Sequence, residues 1–385
     1  KARDHIILNY KVAESGTDGI TVVVNDSVKT YTFTFDVSTV AKTKLKVSST
    51  PNAWSKFAMV EGVIESNATG AVLDDNKMVF EYQPKNATTW TAVAAIKTGE
   101  TFKANIKGLT PNTEYSYRMK YSDGAKEYQS EPVSFTTEDA PLLPNGNMDD
   151  WYKDGKIWYP ASETYYKNNG SFWDSSNVGS NYAGQVSTQG STSVVHTPGG
   201  KSAELKSQNA VIKFAAASLY TGHFVELVGI SGAKINFGQP FTARPTQLHG
   251  WFQYSTGVIN YLGGNTPSSA NIVKGQTLDN CAIYIAMTTK AFEVNNTETS
   301  TFIDFANDSH IVAYGEVPTA DCVSTNGSWK EFTIDLKYND LSTKPTHIIV
   351  VCSSSKYGDY FTGSTSSLLY IDDLELVYGD NVVTK

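Results

Sequence analysis

Short segments in which apolar and polar residues alternate recur from one end of this chain to the other. Turn-forming residues separate these segments, and no segment keeps the 3.6-residue period of an amphipathic helix. Alternation with a period of two is typical of β-strands that bury one face. The pattern therefore predicts an all-β protein. With 385 residues, the chain is long enough for two or three domains with complete hydrophobic cores.

The amino-acid composition favours some classes of function for this chain and argues against others. Charged residues make up only 18% of the chain, Tyr counts 22 and Gly 29, and the net charge is −8. This profile favours an extracellular all-β protein. It argues against nucleic-acid binding, which requires Lys and Arg to neutralise phosphates. No apolar run reaches the roughly 18–20 residues of a membrane helix. Because no secretory signal is visible at Lys1, we expect the chain to begin after a processed leader.

The three cysteines are Cys281, Cys322 and Cys352. An odd number excludes a fully paired disulfide framework, although one bridge remains open, and no Cys/His metal spacing is present. Cys281 and Cys352 lie in apolar, strand-like runs. We therefore interpret these two as buried free thiols.

Strand-like runs organise the first third of the chain. Residues 1–44 contain three runs, at 6–12, 19–24 and 30–37, which we interpret as Ig-like strands of a small or partial domain. Residues 45–138 contain six more, at the spacing of short antiparallel strands: 57–64, 78–83, 90–96, 101–106, 114–121 and 132–137.

The sequence GLTPNTEYSYRM at 108–119 resembles the fibronectin type III signature. The resemblance implies that Leu109 fills the core and that Tyr115 forms the corner whose hydroxyl bonds back to the chain. It also implies that Trp90 is the buried tryptophan of the middle strands. We expect residues 45–138 to be a fibronectin type III-like spacer.

The sequence EDAPLLPNG then predicts a proline-rich hinge that reaches residue 144. No later break is strong enough for another boundary, and strand-like runs continue to the end. Residues 139–380 are therefore predicted to form one large β-sandwich of the jelly-roll type.

Two adjacent carboxylates lie inside the last strong strand, SLLYIDDLELVYG. Apolar residues alternate at Leu369 and Ile371 and then resume out of phase at Leu374. This slip predicts a β-bulge at Asp372 and Asp373. The bulge directs a carboxylate either toward a structural calcium ion or toward backbone N–H groups.

Aromatic residues concentrate in the segment 151–182, which we interpret as a long ordered loop. Flat rings beside polar groups are suited to stack on the C–H faces of sugars. The alternative is that the rings pin the loop to the sandwich, and Trp151 is expected in the core. The candidate ligand-binding residues are Trp158, Tyr159, Tyr165, Tyr166 and Trp173.

Catalytic signatures are weak. A glycosidase needs two carboxylates that face each other across the glycosidic bond. Asp174, Glu204 and Asp304 are candidates, but their spacing in the sequence does not show whether any two of them face each other. No GxSxG or nucleotide-binding glycine motif is present. Arg244 is expected to hold a loop through carbonyl hydrogen bonds and stacking on Trp251 or Phe252.

From residue 144 onward the chain resembles the putative carbohydrate metabolism domain family of secreted Bacteroidetes proteins. The matching stretches follow the order of the family and span the domain: PNGNMDDW, SFWDSSNVG, AAASLYTGHF, FTARPTQLHGWFQY, IVAYGEV and SSSKYGDYFTGSTSSLLYIDDLELVYG. The resemblance implies a carbohydrate-binding sandwich behind an Ig-like or fibronectin-like spacer, without a catalytic mechanism.

The opening NGNMD and the closing IDD also resemble jelly-roll carbohydrate-binding modules. This resemblance implies that Asp149 and one of Asp372 or Asp373 bind calcium together with backbone carbonyls. Asp149 stands where a longer Glu is usual, which shortens the reach of this ligand.

The sequence thus predicts an extracellular glycan-binding protein that takes part in bacterial polysaccharide use, with a polysaccharide or oligosaccharide as its partner. We expect a monomer, secreted or held at the outer-membrane surface by a lipid anchor lost with the leader. A structural calcium ion is expected, and no organic cofactor. Two alternatives remain open, a glycoside hydrolase and a cell-surface adhesion or assembly protein.

Overall fold

A computed structural model describes residues 16–25, 27–39, 43–67, 70, 72–210 and 213–385. The chain forms two compact units, Lys1–Thr137 and Glu138–Lys385. Strands dominate both units, which confirms the predicted all-β fold class. The run predicted at 6–12 lies outside the described residues. No helix in the described part of the chain is long and apolar enough to cross a membrane.

The described residues of the first unit form twelve strands and a short 3₁₀ helix, Asp75–Lys77. The strands are β1 (Gly16–Asn25), β2 (Thr30–Thr39), β3 (Lys44–Val47), β4 (Asn52–Ala53), β5 (Phe57–Ser66), β6 (Met78–Pro84), β7 (Thr91–Ala94), β8 (Ile96–Thr98), β9 (Thr101–Lys107), β10 (Glu114–Ser122), β11 (Glu127–Gln129) and β12 (Val133–Thr136).

Strands β1 and β2 form an antiparallel hairpin in which Val22 lies opposite Phe33. The other ten strands form two five-stranded sheets, one of β3, β4, β5, β8 and β9 and the other of β6, β7, β10, β11 and β12. Phe80, Phe102 and Tyr117 are completely or almost completely buried in the core of this sandwich.

Two of the three fibronectin-like expectations are confirmed. Leu109 is buried, and the Tyr115 hydroxyl accepts a hydrogen bond from the Thr110 N–H at 3.0 Å. The expectation for Trp90 is wrong. Its ring is only half-buried and lies 4.2 Å under the Arg118 guanidinium, whereas Trp54 is buried.

In the part of the second unit that the structure describes, there are nineteen strands and two short α-helices, α1 (Glu163–Asn169) and α2 (Asn177–Asn181). Its 3₁₀ helices are Ser268–Ala270, Thr299–Thr301 and Gly358–Tyr360. The strands are β13 (Tyr152–Asp154), β14 (Ile157–Tyr159), β15 (Trp173–Ser175), β16 (Thr188–Ser191), β17 (Ser202–Lys206), β18 (Gln208–Ala210), β19 (Lys213–Ala215), β20 (Ser218–Val228), β21 (Gly232–Phe237), β22 (Gln239–Pro240), β23 (Gln247–Ser255), β24 (Ala282–Thr288), β25 (Phe292–Asn295), β26 (Ile311–Glu316), β27 (Lys330–Asp335), β28 (Lys337–Tyr338), β29 (His347–Ser353), β30 (Leu368–Val377) and β31 (Val383–Thr384).

Two sheets form the body of the second unit. The small sheet has the order β16-β17-β30-β23-β27, and the large sheet has the order β25-β21-β20-β29-β24-β26-β28-β31 with β15 beside β20 and β22 beside β29. Gly315 of the large sheet approaches Ile334 of the small sheet so closely that a Cβ there would lie 2.5 Å from the Ile334 side chain. The face of β24 and β29 that carries Ile285 and Val350 therefore faces the small sheet, because both align with Gly315 in register.

The candidate site, described below, lies on the opposite face of the large sheet. Tyr220, Val351 and Tyr284 lie side by side on three neighbouring strands of this face. Since side chains alternate along a strand, these residues point away from the small sheet.

The segment predicted as a proline-rich hinge makes its contacts within the second unit. Glu138 forms a two-point ion pair with buried Arg244, at 3.0 and 2.9 Å. Further along, the Pro141 carbonyl accepts from the Tyr378 hydroxyl at 2.8 Å, and the Pro144 carbonyl accepts from the Trp173 indole at 2.7 Å. Arg244 also donates to the Leu341 carbonyl at 2.7 Å, as expected for a residue that holds a loop. We call residues 138–146 the strap.

All three cysteines are buried and free. This confirms the interpretation of Cys281 and Cys352. Burial also raises the pKa of the Cys281 thiol well above its ordinary value.

Candidate functional site

The predicted bulge in β30 is confirmed. His249 lies opposite Glu375 and Trp251 lies opposite Asp372, so β30 carries one extra residue between these pairs. At the bulge, the backbone of Asp373 adopts a left-handed conformation with a positive φ of 50°. Short polar side chains tolerate this left-handed conformation better than most residues.

Hydrogen bonds within the protein engage the three predicted metal ligands. Asp372 accepts from the backbone N–H groups of His196 and Asp373, at 2.8 and 2.9 Å. Asp373 contacts the His196 ring and the Thr197 hydroxyl, both at 2.7 Å. Asp149 accepts from the Lys201 N–H at 2.6 Å.

This arrangement fits capping of the bulge, and a calcium ion at these carboxylates stays a prediction. N–H and O–H donors point at both oxygens of Asp372, at Oδ2 of Asp373 and at Oδ1 of Asp149. Burial, aided by the charge of Asp373, raises the pKa of Asp372 to about 6. The described residues contain no cluster of three or more His, Cys, Asp or Glu that could hold a metal.

The segment 151–182 is not a long loop, contrary to the sequence interpretation. It contains the hairpin β13–β14, both helices and β15. Ser162 caps α1 by accepting from the Tyr165 N–H, and Gly170 ends the helix with a φ of 74°. Trp151, expected in the core, is partly buried and donates to the Met148 carbonyl at 2.7 Å.

The five candidate aromatic residues differ in their surroundings. Trp173 is completely buried, so it belongs to the core and its assignment as a ligand-binding residue is corrected. Tyr159 and Tyr166 pack on each other with centroids 4.4 Å apart. Trp158 lies under the Lys153 ammonium at 5.3 Å. Tyr165 is 37% exposed and stands on α1.

A cavity of about 580 Å³ lies on the outer face of the large sheet. Its floor is the row of Tyr220, Val351 and Tyr284 together with Ile235 and Phe237 of β21. Its walls come from four segments: the region of α2 with Tyr182, residues 213–216, the turn between β20 and β21, and residues 353–361. None of the four surviving aromatic candidates is in the lining. Within the segment 151–182, only the part from Ser175 to Tyr182 contributes to it.

A second cavity of about 330 Å³ adjoins the first. The two share Lys213, Phe214, Asn296, Asp359 and Phe361. Tyr261, Asn265, Thr297 and Tyr360 are found only in the second. We refer to them as the larger and the smaller chamber of one groove.

Phe361 forms the partition between the chambers. It has a positive φ of 56° although it is not a glycine, and the Lys213 ammonium lies 4.2 Å above its ring. A bulky residue in this region of conformational space is uncommon and is often found at functional positions. The strain presents the ring to both chambers.

Among the described residues that line either chamber, Asp359 is the single carboxylate. The residue is exposed to solvent, and the walls of both chambers crowd its carboxyl group. This crowding raises the pKa of its carboxyl group to about 6. Among the described residues, no hydrogen bond or ion pair engages this side chain, so it is available to a ligand.

The three acids considered for hydrolysis lie elsewhere. Asp174 is buried and accepts from the Phe224 and Ser175 N–H groups; burial raises the pKa of its carboxyl group to about 6. Glu204 bonds to Tyr370 and Gln189 on the small sheet. Asp304 caps its own turn at Ala306 and Asn307.

Sequence reasoning missed Asp359 and the groove. The only local signal is an acid between aromatic residues in the stretch KYGDYF, outside any strand-like run. Such a stretch is typical of a loop that carries function.

A family model described as the putative carbohydrate metabolism domain matches residues 147–377, which is more than half of the chain. The chain belongs to this family. The match covers the strands of the small sheet, nearly the whole large sheet and both chambers. A search of curated proteins gives no match to the chain.

Two solved structures resemble the chain at low identity. One, described as a putative glycoside hydrolase from Bacteroides thetaiotaomicron, is 18% identical, with a TM-score of 0.47, and the match covers 80% of this chain and 98% of that one. The other carries the same description, from Bacteroides vulgatus, and is 21% identical with a TM-score of 0.42. That match covers 63% of this chain and 96% of the other.

Proposed function

We propose that this member of the putative carbohydrate metabolism domain family binds a glycan in the two-chambered groove of its second unit. The observation that carries the proposal is a concave site that combines aromatic walls with one carboxylate free to accept hydrogen bonds. Sugar rings bind through C–H faces stacked on aromatic rings, and polar groups then fix their orientation.

The residues of the groove support a division of roles. Tyr182, which is 76% exposed, and the partition ring of Phe361 offer stacking surfaces. Asp359 would accept hydrogen bonds from sugar hydroxyls. Lys213 and Asn296 lie at the junction of the chambers. Together these groups favour binding of an extended oligosaccharide over a single sugar.

Binding is favoured over hydrolysis for a specific reason. Hydrolysis of a glycosidic bond ordinarily requires two carboxylates that face each other across the bond. In the lining formed by described residues, Asp359 stands without a second acid. The proposal therefore assigns recognition, and not cleavage, to this groove.

The proposal includes a location outside the cytoplasm, either secreted or held at the outer-membrane surface. The low charge and high tyrosine content support this location, and polysaccharides are accessible there. The proposal also treats the chain as a monomer, because one unit contains the whole groove.

The test is binding of the full chain to a panel of plant and host polysaccharides, with two matched tyrosine variants. Tyr182→Ala removes an exposed ring from the groove, and Tyr165→Ala removes an exposed ring outside it. We expect Tyr182→Ala to weaken binding about tenfold or more and Tyr165→Ala to leave it unchanged. The reverse result would place the site on α1, and no binding to any polysaccharide would overturn the proposal.

A further inference from the structure

The lining of the larger chamber is more apolar than a sugar ring requires. From the rim to the floor, the surface consists mainly of aliphatic and aromatic side chains. They are Phe214, Phe224, Leu227, Ile230, Ile235, Phe237, Ala282 and Val351. A sugar presents hydroxyl groups in nearly every direction, and burying a hydroxyl without a partner is unfavourable.

Most polar groups of the larger chamber are already engaged within the protein. The Lys213 ammonium donates to the Ser231 carbonyl, and the Lys356 ammonium donates to the Thr319 hydroxyl. Asn296 accepts from the Ala233 N–H at 2.8 Å.

The serines of the lining are engaged in the same way. Ser355 donates to Asp279 at 2.6 Å, Ser353 donates to the Ser355 carbonyl at 2.9 Å, and Ser176 pairs with Ser187 at 2.6 Å. These hydroxyls hold the walls of the chamber together and have little capacity left for a ligand.

Several polar groups of the larger chamber remain for a ligand, among them the Asp359 carboxylate and the hydroxyls of Tyr284 and Tyr220 in the floor. The Tyr220 hydroxyl is buried without a partner among the described residues. Asp359 can only accept hydrogen bonds when it is ionised. Tyr284 in the floor forms no hydrogen bond among the described residues, and burial raises the pKa of its hydroxyl well above the ordinary value. It therefore stays a donor. The chamber thus offers a carboxylate acceptor and hydroxyl donors in its floor, on a surface that is mainly apolar.

We propose that the larger chamber receives an acyl group that the glycan carries as an ester or amide. This inference rests on the proposed function and names the class of glycan. An acyl group has an apolar chain and one carbonyl oxygen, so it needs a single donor, which Tyr284 supplies. The adjoining sugar donates to Asp359 and occupies the smaller chamber, where Tyr261, Asn265 and Tyr360 line the wall.

The experiment presents each polysaccharide of the panel to the full chain in two forms. One form is saponified, and the other is O-acetylated with acetic anhydride. We expect the acetylated form to bind at least about fourfold more tightly, the ratio for burying one methyl-sized group. Acetylation leaves the charge of a neutral polysaccharide unchanged, so the ratio reports on the acyl group itself.

Two variants locate the effect. Leu227→Ser with Ile230→Ser makes the apolar rim of the larger chamber polar, and Val225→Ser is the matched control, because Val225 is 39% exposed and absent from the lining. The double variant should abolish the preference for the acetylated form, and the control should keep it. If the double variant does not fold, Ile230→Ser alone replaces it, since Ile230 is 81% exposed.

The outcomes separate this inference from the proposed function. Equal binding of both forms overturns the acyl inference and leaves glycan binding intact. A preference that persists in the folded rim variant places the acyl group elsewhere and overturns the inference as well. Failure of every polysaccharide in both forms overturns both proposals.

Discussion

At Asp359, the stability of the fold and the proposed glycan binding favour opposite protonation states. Its folded pKa of about 6 lies above the ordinary value of 3.8, so the folded protein holds this proton more tightly than the unfolded chain does. Stability from this group is therefore greatest at low pH and falls as pH rises from about 4 to above 6. The fold disfavours the ionised carboxylate of Asp359, which is the form proposed to accept hydrogen bonds from the glycan.

Asp359→Asn should therefore stabilise the protein and impair its binding. At pH 8 we expect a slightly higher Tm, equivalent to about 1 kcal/mol at most because water in the cavity screens the charge. At pH 4 the Tm should not change, and glycan affinity at pH 8 should fall. Asp150→Asn, an exposed carboxylate outside the groove, is the control. A variant that keeps full affinity would remove Asp359 from the site.

The carboxylates at the β30 bulge lead to a prediction about metal removal. Because donors from His196, Asp373 and Lys201 engage Asp372 and Asp149, an added cation would have to displace these hydrogen bonds. We expect the same Tm in excess calcium and in EDTA, measured by differential scanning calorimetry. A calcium-dependent rise that disappears in Asp372→Asn would support the calcium site that the sequence predicts.

At the scale of elements, the strap depends on a buried ion pair. The Arg244 side chain is completely buried and Glu138 is 12% exposed, so removing the acid leaves a charge without its main partner. Breaking a buried pair in this way typically costs about 3–5 kcal/mol.

We therefore expect Glu138→Ala to lower the free energy of unfolding of the second unit by about 3 kcal/mol or more. Glu131→Ala serves as the control, since this residue is exposed and lies in the first unit. Urea unfolding followed by tryptophan fluorescence measures both. Equal curves for the two variants would show that the strap contributes nothing to stability.

Local elements were predictable where the signal lies within a few residues. The phase slip between Ile371 and Leu374 was enough to predict the bulge, because a strand has a strict period of two. Helix α1 was not predictable, since seven residues complete only two turns and show no period. The buried state of Trp173 depends on the Pro144 carbonyl, 29 residues away, and no local pattern contains that contact.

At the scale of the whole molecule, the groove could not be predicted from the sequence. Tyr220, Tyr284 and Val351 form its floor only because β20, β24 and β29 pair through long-range hydrogen bonds. The family resemblance indicated which part of the chain carries the carbohydrate-related function. It did not indicate which face of the sandwich does, since that depends on loops that vary within a fold.

The last prediction concerns the second unit by itself. Every residue that lines either chamber lies within Glu138–Lys385, which has its own two sheets and its own core. We expect a fragment of residues 138–385 to fold and to bind the polysaccharides that the full chain binds, with the same affinity. A fragment of residues 145–385 is the matched comparison, because it lacks Glu138 and leaves Arg244 uncompensated.

The shorter fragment tests the strap, and the longer fragment distinguishes two roles for the first unit. Since the strap contributes an ion pair and two carbonyl acceptors, the shorter fragment should unfold at lower urea concentration than the longer one. If residues 138–385 are folded but bind more weakly than the full chain, the first unit contributes to recognition. If the affinities agree, the first unit acts as a spacer and the specificity for glycans resides entirely in the second unit.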